Sequence, residues 1–177
     1  MRLYLMRHAL TYFNLKGINS GHLDVPILKS TITKSQHKYD FVMCSPMIRC
    51  RQTLDLLNLD NTPTIYDERL IEAGYGDLTG MPKNKKVFKR DIFSKPETSK
   101  YYLSESIYES GERSLECLIE YTPKLISSNC EDILILAHKN TLSGLWYHLN
   151  DFDRNIPEFK NNKIIDIIYD PNKFLNK

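Results

Sequence analysis

Several features that would assign this chain to a large class are missing from it. None of its four cysteines (Cys44, Cys50, Cys117, Cys130) forms a Cys-x-x-Cys pair or a zinc-type spacing. That argues against a zinc module and, with no export signal in the sequence, leaves free thiols in a reducing cytoplasm as the expectation. No apolar run is long enough to span a bilayer. The opening MRLYLMRH breaks off at Arg7 and His8 after a short apolar stretch, so it does not read as a signal peptide. Net charge is also scarce. Lys and Arg number 24 against 22 Asp and Glu, a formal +2, too little to draw the chain to nucleic acid or a membrane surface. The sequence has no internal repeat, no low-complexity segment, no Gly-x4-Gly-Lys phosphate loop and no His-Glu-x-x-His helix. A cysteine phosphatase is excluded by spacing: a Cys-x5-Arg loop starting at Cys44 needs arginine at position 50, which is Cys50.

What is present is an alternation of short apolar runs with helical periodicity. Leu3 to Met6, Phe41 to Cys44 and Ile133 to Ala137 are continuous apolar runs, and Ile164 to Tyr169 is apolar apart from Asp166; all four read as strands covered on both faces, and Thr64 to Tyr66 as a weaker strand. Met47, Cys50, Leu54 and Leu57 share one helical face. Leu115, Leu118, Ile119 and Ile126 share another, which Pro123 should kink or break. Leu142, Leu145, Trp146 and Leu149 make a third stripe. Strands alternating with helices predict an α/β fold with a mostly parallel sheet. At 177 residues the chain fits one domain, residues 1–177, with a Lys-rich insert at about 82–102.

In an open α/β sheet, ligands bind beyond the carboxyl ends of the strands. Arg7 and His8 follow the first run, Ser45, Pro46 and Arg49 follow the second, and His138 follows the third. Two arginines and two histidines are thereby expected at one edge. Arginine forks match phosphate oxygens, and phosphoryl transfer is catalysed mainly by positioning and charge stabilisation. A neutral imidazole is a competent nucleophile near neutral pH, so one histidine would attack phosphorus while the other, protonated, stabilises the transferring group. The segment Asp67 to Gly76 supplies candidate acids for the leaving oxygen: Glu72, followed closely by Gly74 and Gly76, with Asp67 and Glu68 near it. A carboxyl in such a loop can act as acid and then as base toward water. Taken singly, His8 reads as a structural histidine at a strand end; its company makes the catalytic reading stronger. His22 and Asp24 read as turn-ordering residues, His37, His148 and Arg51 as surface residues, and Cys44 and Cys50 as packing residues.

These residues resemble the ordered signature of the histidine phosphatase superfamily, the phosphoglycerate mutase-like proteins. Arg7-His8-Ala9-Leu10-Thr11-Tyr12-Phe13-Asn14 is similar to Arg-His-Gly-x-Thr-x-x-Asn. Gly21 to Ile27, Ser45 to Thr53, Leu70 to Gly80, Gly111 to Ser114 and Ile133 to His138 resemble its later blocks, in the family's order. The resemblance implies a three-layer α/β/α sandwich. It also implies a phosphomonoester hydrolase acting through a phosphohistidine on a small phosphorylated metabolite, with no metal and no cofactor. His8 would be the nucleophile and Glu72 the proton donor. Arg7, Arg49 and His138 would line the phosphate pocket and share in catalysis, with Asn14 and Thr11 among the substrate-binding residues. Two departures stand out: Ala9 replaces a glycine, and Lys139 and Asn140 replace small residues after His138. A phosphoglycerate mutase is the alternative, held second because such mutases are usually longer. A non-catalytic phospho-ligand binder is third. The partners expected are a phosphorylated substrate, no nucleic acid and no membrane, with a homodimer allowed. The stretch Lys83 to Arg90 would steer anionic substrates.

Overall fold

A computed structural model of the protein describes residues 1–28, 37–59, 61–83, 97 and 105–175. Apart from residues 82, 83 and 97, the expected Lys-rich insert lies outside the described residues, and with it the steering role of Lys85 and Lys86. Five strands form the sheet: β1 (Arg2–Arg7), β2 (Phe41–Cys44), β3 (Thr64–Tyr66), β4 (Asp132–Ala137) and β5 (Ile164–Ile168). Their order is β3-β2-β4-β1-β5; the first four are parallel, and β5 runs antiparallel along β1. The central strands β2 and β4 are apolar on both faces because helices cover both. Helices α3 (Ile107–Ser127) and α4 (Lys139–Leu149) pack on the side of Leu3, Leu5, Met43, Ile133 and Ile135. Helix α2 (Ile48–Leu57) packs through Cys50, Leu54 and Leu57 against Met6, Val42, Cys44, Leu134 and Leu136. The fold is the expected three-layer α/β/α sandwich. A short α1 (Tyr12–Lys16) and a terminal α5 (Asn172–Leu175) complete the described α-helices, and 3-10 turns span Glu68–Leu70 and Gly76–Leu78.

Some expectations fail. β5 is an edge strand, not one covered on both faces: its burial alternates, and Ile164 and Ile168 are exposed. Its apolar run reflects β-propensity more than burial. Pro123 does not end α3, which continues to Ser127 and buries Leu125 beyond it. The buried stripe of α3 runs through Ile107, Ser110, Gly111, Ser114, Cys117, Leu118, Thr122 and Leu125, and Ile126 is exposed. Small and polar residues occupy this face because α3 lies hard against α4, with Gly111 over Gly144. A Cβ on Gly111 would come 2.6 Å from the Gly144 Cα, a distance only two glycines allow. His148 is buried, not on the surface, with Nε2 against the Tyr108 carbonyl at 3.0 Å.

Candidate active site

The register of the parallel strands assembles the site. β1 pairs with β4 so that Arg7 stands opposite Ala137, and the ladder continues with the His8 N–H donating to the Ala137 carbonyl at 3.1 Å. His8 and His138 are therefore the next pair along, with ring centroids 5.3 Å apart. β2 pairs Cys44 with Leu136, which carries Ser45 to the level of Ala137, from where its hydroxyl reaches His138. The convergence of strand ends inferred from the sequence is thus a consequence of register.

His8 is buried, and its ring is locked at one nitrogen. Nδ1 lies 2.7 Å from the Ala9 carbonyl oxygen, which can only accept. Nδ1 therefore carries the proton, and Nε2 presents its lone pair. Burial, with the Arg49 and Arg7 guanidiniums nearby, holds the imidazole well below the ordinary histidine range, so it is neutral. Ala9 has no positive φ, so its methyl carries no backbone strain. Its N–H donates to Thr53 Oγ1 at 2.8 Å, and Thr53 donates in turn to the Arg49 carbonyl at 2.6 Å. This ties the loop after β1 to helix α2.

Arg49 is 1% exposed. Its Nε donates to His138 Nδ1 at 3.1 Å, Nη1 to the Leu23 carbonyl at 2.7 Å and Nη2 to the Gly21 carbonyl at 3.0 Å. Since His138 Nδ1 accepts from Arg49, the proton sits on Nε2, which meets Ser45 Oγ at 2.8 Å. Burial and then Arg49 keep His138 well below the usual histidine value. The expected protonated His138 is therefore not what the structure holds. His138 is neutral and stands behind Arg49, holding its fork, while the guanidinium carries the charge. Cys50 Sγ also approaches His138 Nε2, at 3.5 Å. Burial pushes this thiol up to about 12, so it stays protonated and inert.

An open cavity of about 340 Å³, counting its mouth, is lined by Arg7, His8, Asn14, Arg49 and Glu72. Ile18, Ser20, Gly21, Tyr75, Lys83 and Lys139 complete the wall. Four cationic side chains thus face it with one carboxylate. Among the described residues the buried Arg7 Nε has no hydrogen-bond partner, while its Nη1 donates to the Phe159 carbonyl at 3.2 Å. A buried donor left unpaired is an exception that a ligand oxygen would satisfy. Asn14 closes the N-terminal cap of α1: its N–H donates to Thr11 Oγ1 and its Oδ1 accepts from the Thr11 N–H, both at 3.2 Å. Thr11 is fully buried and spends its hydroxyl on that cap. It shapes the loop and does not reach the cavity, contrary to its expected place among substrate-binding residues.

Glu72 is 6% exposed. Its Oε1 accepts from the N–H groups of Ala73 at 3.0 Å, Asn140 at 3.1 Å and Thr141 at 3.3 Å, and lies 3.4 Å from Thr141 Oγ1. Asn140 and Thr141 open helix α4, whose N-cap residue His138 makes no side-chain cap bond. Glu72 thus supplies the missing cap from another segment. With three N–H groups donating to Oε1, Oε2 is the oxygen left to give or take a proton. The Glu72 loop is clamped from behind. Arg113 donates to the Arg69 carbonyl, to the Ile71 carbonyl at 2.9 Å and to both Glu105 oxygens at 2.7 and 2.8 Å. His22 Nε2 bonds the Glu72 carbonyl at 2.7 Å, and Asp24 caps α2 through the Ile48 N–H at 2.6 Å; both order loops, as expected.

Sequence reasoning did not single out Tyr75, Ser45, Thr53 or Asn161 for a role. Tyr75 accepts from Asn140 Nδ2 at 2.8 Å, and burial raises its phenol above the ordinary value, keeping it neutral. Its place between Gly74 and Gly76 was the available signal. Ser45 and Thr53 stood inside a quoted motif block. Asn161 had no signal at all.

A neutral imidazole, two guanidiniums and a carboxyl group thus line one cavity, an arrangement suited to phosphoryl groups. The chain belongs to the histidine phosphatase superfamily (branch 1), whose family model matches residues 3–175. It is 30% identical over 159 residues to the protein named "Putative phosphoserine phosphatase 2" of Hydrogenobacter thermophilus, covering 81% of this chain and 76% of that one. It is 28% identical over 167 residues to a 2,3-bisphosphoglycerate-dependent phosphoglycerate mutase of Rhizobium meliloti, with the same coverages of 81% and 76%. Among solved structures, a mycobacterial glucosyl-3-phosphoglycerate phosphatase in complex with VO3 shares the fold at TM-score 0.79 and 16% identity, over 93% of this chain and 90% of that one. The Entamoeba histolytica phosphoserine phosphatase in complex with 3-phosphoglyceric acid does so at 0.75 and 18%, over 94% and 90%.

Proposed function

We propose that this protein is a phosphomonoester hydrolase that works through a phosphohistidine on His8. The observation that carries the reading is the hydrogen bond from His8 Nδ1–H to the Ala9 carbonyl, which leaves the Nε2 lone pair as nucleophile beside Arg7 and Arg49. Nε2 attacks phosphorus, and the P–O bond to the leaving group breaks. Glu72 Oε2 gives its proton to the departing oxygen. The positive charge that develops on the ring is held by the Nδ1–H bond to Ala9. Arg7, Arg49 and the Asn14 amide take the equatorial phosphoryl oxygens, where charge accumulates. In the second step Glu72 removes a proton from water, whose oxygen attacks phosphorus. The P–N bond breaks, and phosphate leaves. No step draws on a metal or a cofactor.

The substrate is a small phosphorylated metabolite. Lys83 and Lys139 on the cavity wall favour an anionic one, and the relatives' names make phosphoserine and phosphoglycerate the first esters to assay. The four buried free thiols fit a cytoplasmic protein. The mutase relatives support a second reading, phosphoryl transfer between positions of phosphoglycerate. One experiment separates the readings: a panel of phosphate esters, with a metal chelator present, for wild type and His8→Ala. Phosphate release that disappears in the variant supports the hydrolase. Positional transfer without release supports the mutase. Ligand binding without turnover leaves a binding protein. An acid-labile phosphoenzyme that maps to a residue other than His8 overturns the assignment.

A further inference from the structure

Asn161 belongs to none of the motif blocks, yet it reaches the centre of the site. It lies just before β5, bridged to Arg7 through the backbone, and the next N–H, of Asn162, donates to the Arg7 carbonyl at 3.2 Å. Its amide nitrogen lies 2.8 Å from the His8 carbonyl oxygen, 3.2 Å from Asn14 Oδ1 and 3.4 Å from the Ala9 carbonyl oxygen. The chemistry leaves no choice of orientation. Two of these partners are carbonyl oxygens, and the third is fixed as an oxygen because the Thr11 N–H donates to it. Asn161 must therefore present its NH2, whose two hydrogens serve the two shorter contacts.

Each contact fixes something the reaction needs. Both hydrogen bonds that Asn14 makes through its side-chain oxygen, from Thr11 and from Asn161, fall on Oδ1, which turns its Nδ2 donors toward the cavity it lines. The bond to the His8 carbonyl fixes the peptide leading into Ala9, whose own carbonyl, 3.4 Å from the Asn161 amide nitrogen, is the acceptor that selects the His8 tautomer. We propose that Asn161 is a positioning residue: one amide from the far end of the chain sets both the nucleophilic face of His8 and the direction of the Asn14 donors. This rests on the phosphohistidine reading of the site.

The test compares wild type with Asn161→Ala and with Asn161→Asp, which keeps the shape but loses the donor. Displacements of about 1 Å at a reacting group cost up to about a hundredfold. The expected loss in kcat/KM for Asn161→Ala is accordingly about tenfold to a hundredfold, mostly in kcat. Asn161→Asp, which sets a carboxylate against three oxygens, is expected to be at least as impaired. Two further readouts separate positioning from mere structure. In an Asn14→Ala background the Asn161→Ala loss should shrink by at least about threefold, because the two act through one contact. The 15N spectrum of His8 should show a single Nδ1–H tautomer in wild type and a mixture in Asn161→Ala. Wild-type kcat/KM and tautomer in both variants would overturn the proposal, as would a lowered Tm with full activity and losses additive with Asn14→Ala. If the wild type turns over no phosphate ester, the hydrolase reading fails instead, and the His8 spectrum alone then decides the role of Asn161.

Discussion

Replacing Gly144 with alanine should weaken the fold and the chemistry together. An ideal Cβ on Gly144 would stand 2.7 Å from the Gly111 Cα and 2.7 Å from its nitrogen, and nearer still to the Ile107 carbonyl oxygen. All three are backbone atoms, so no side chain can swing aside. Relief requires α3 and α4 to separate by about 1 Å, since carbon atoms pack at roughly 3.5–4.0 Å. Overpacking of this kind costs about 1–3 kcal/mol, against a gain of about 1 kcal/mol from helix propensity. With backbone on both sides the cost falls at the upper end, for a net loss of about 2 kcal/mol. In a chain of this size that lowers Tm by about 4–8 °C. The catalytic effect follows from position. Asn140 and Thr141, one turn before Gly144 on the same helix, hold Glu72 Oε1 through their N–H groups. A shift of α4 therefore displaces the proton donor and should lower kcat/KM by up to about a hundredfold. Thermal unfolding by circular dichroism and phosphate release well below Tm measure the two effects. A wild-type Tm would refute the packing argument. A lowered Tm with wild-type kcat/KM would leave the packing intact and remove the link to Glu72.

Glu72→Gln keeps the Oε1 acceptor for the α4 cap but loses the proton, so kcat on alkyl phosphates should fall about 10²–10⁴-fold and much less on aryl phosphates with acidic leaving groups; equal losses on both would remove the donor role. Arg49→Lys cannot reproduce the bonds to His138, Leu23 and Gly21, and a charged hydrogen bond contributes about 1.5–3 kcal/mol. Inhibition by inorganic phosphate should then weaken by roughly tenfold to a hundredfold, and unchanged inhibition would show that Arg49 does not face the anion. His8 and His138 both have folded-state values pressed well below the ordinary range by burial, whereas in the unfolded chain they protonate near about 6.5. Below that pH the unfolded state binds more protons, so this stability is fully present above about 6.5 and is lost as pH falls. The limiting slope is about 1.4 kcal/mol per pH unit for each group. Tm should fall from pH 6.5 to 5 in wild type, and a flat Tm over that window would contradict the neutral, buried histidines.

Chemistry-bearing residues that end a strand could be read directly, because an apolar run followed by Arg7-His8, by Ser45 and Arg49, or by His138 is a local pattern. The layered α/β architecture was legible for the same reason: period and propensity belong to neighbours in the chain. Residues 70–76 marked Glu72 by its glycines. What no local pattern carries is register and approach between distant segments. Only the pairing of Arg7 with Ala137 puts His8 beside His138. Only the bond from Arg49 Nε shows that His138 is neutral and behind the guanidinium, not charged and in the pocket. The small residues at Gly111 and Gly144 make sense only when α3 meets α4, and the apolar run of β5 looked buried until its place at the sheet edge exposed Ile164 and Ile168. Asn161 is the clearest case, 153 residues from the His8 carbonyl it holds. The sequence by itself determined which groups can do the chemistry. Tertiary structure decided which nitrogen of each histidine holds its proton, since that depends on the partner each ring meets across the fold.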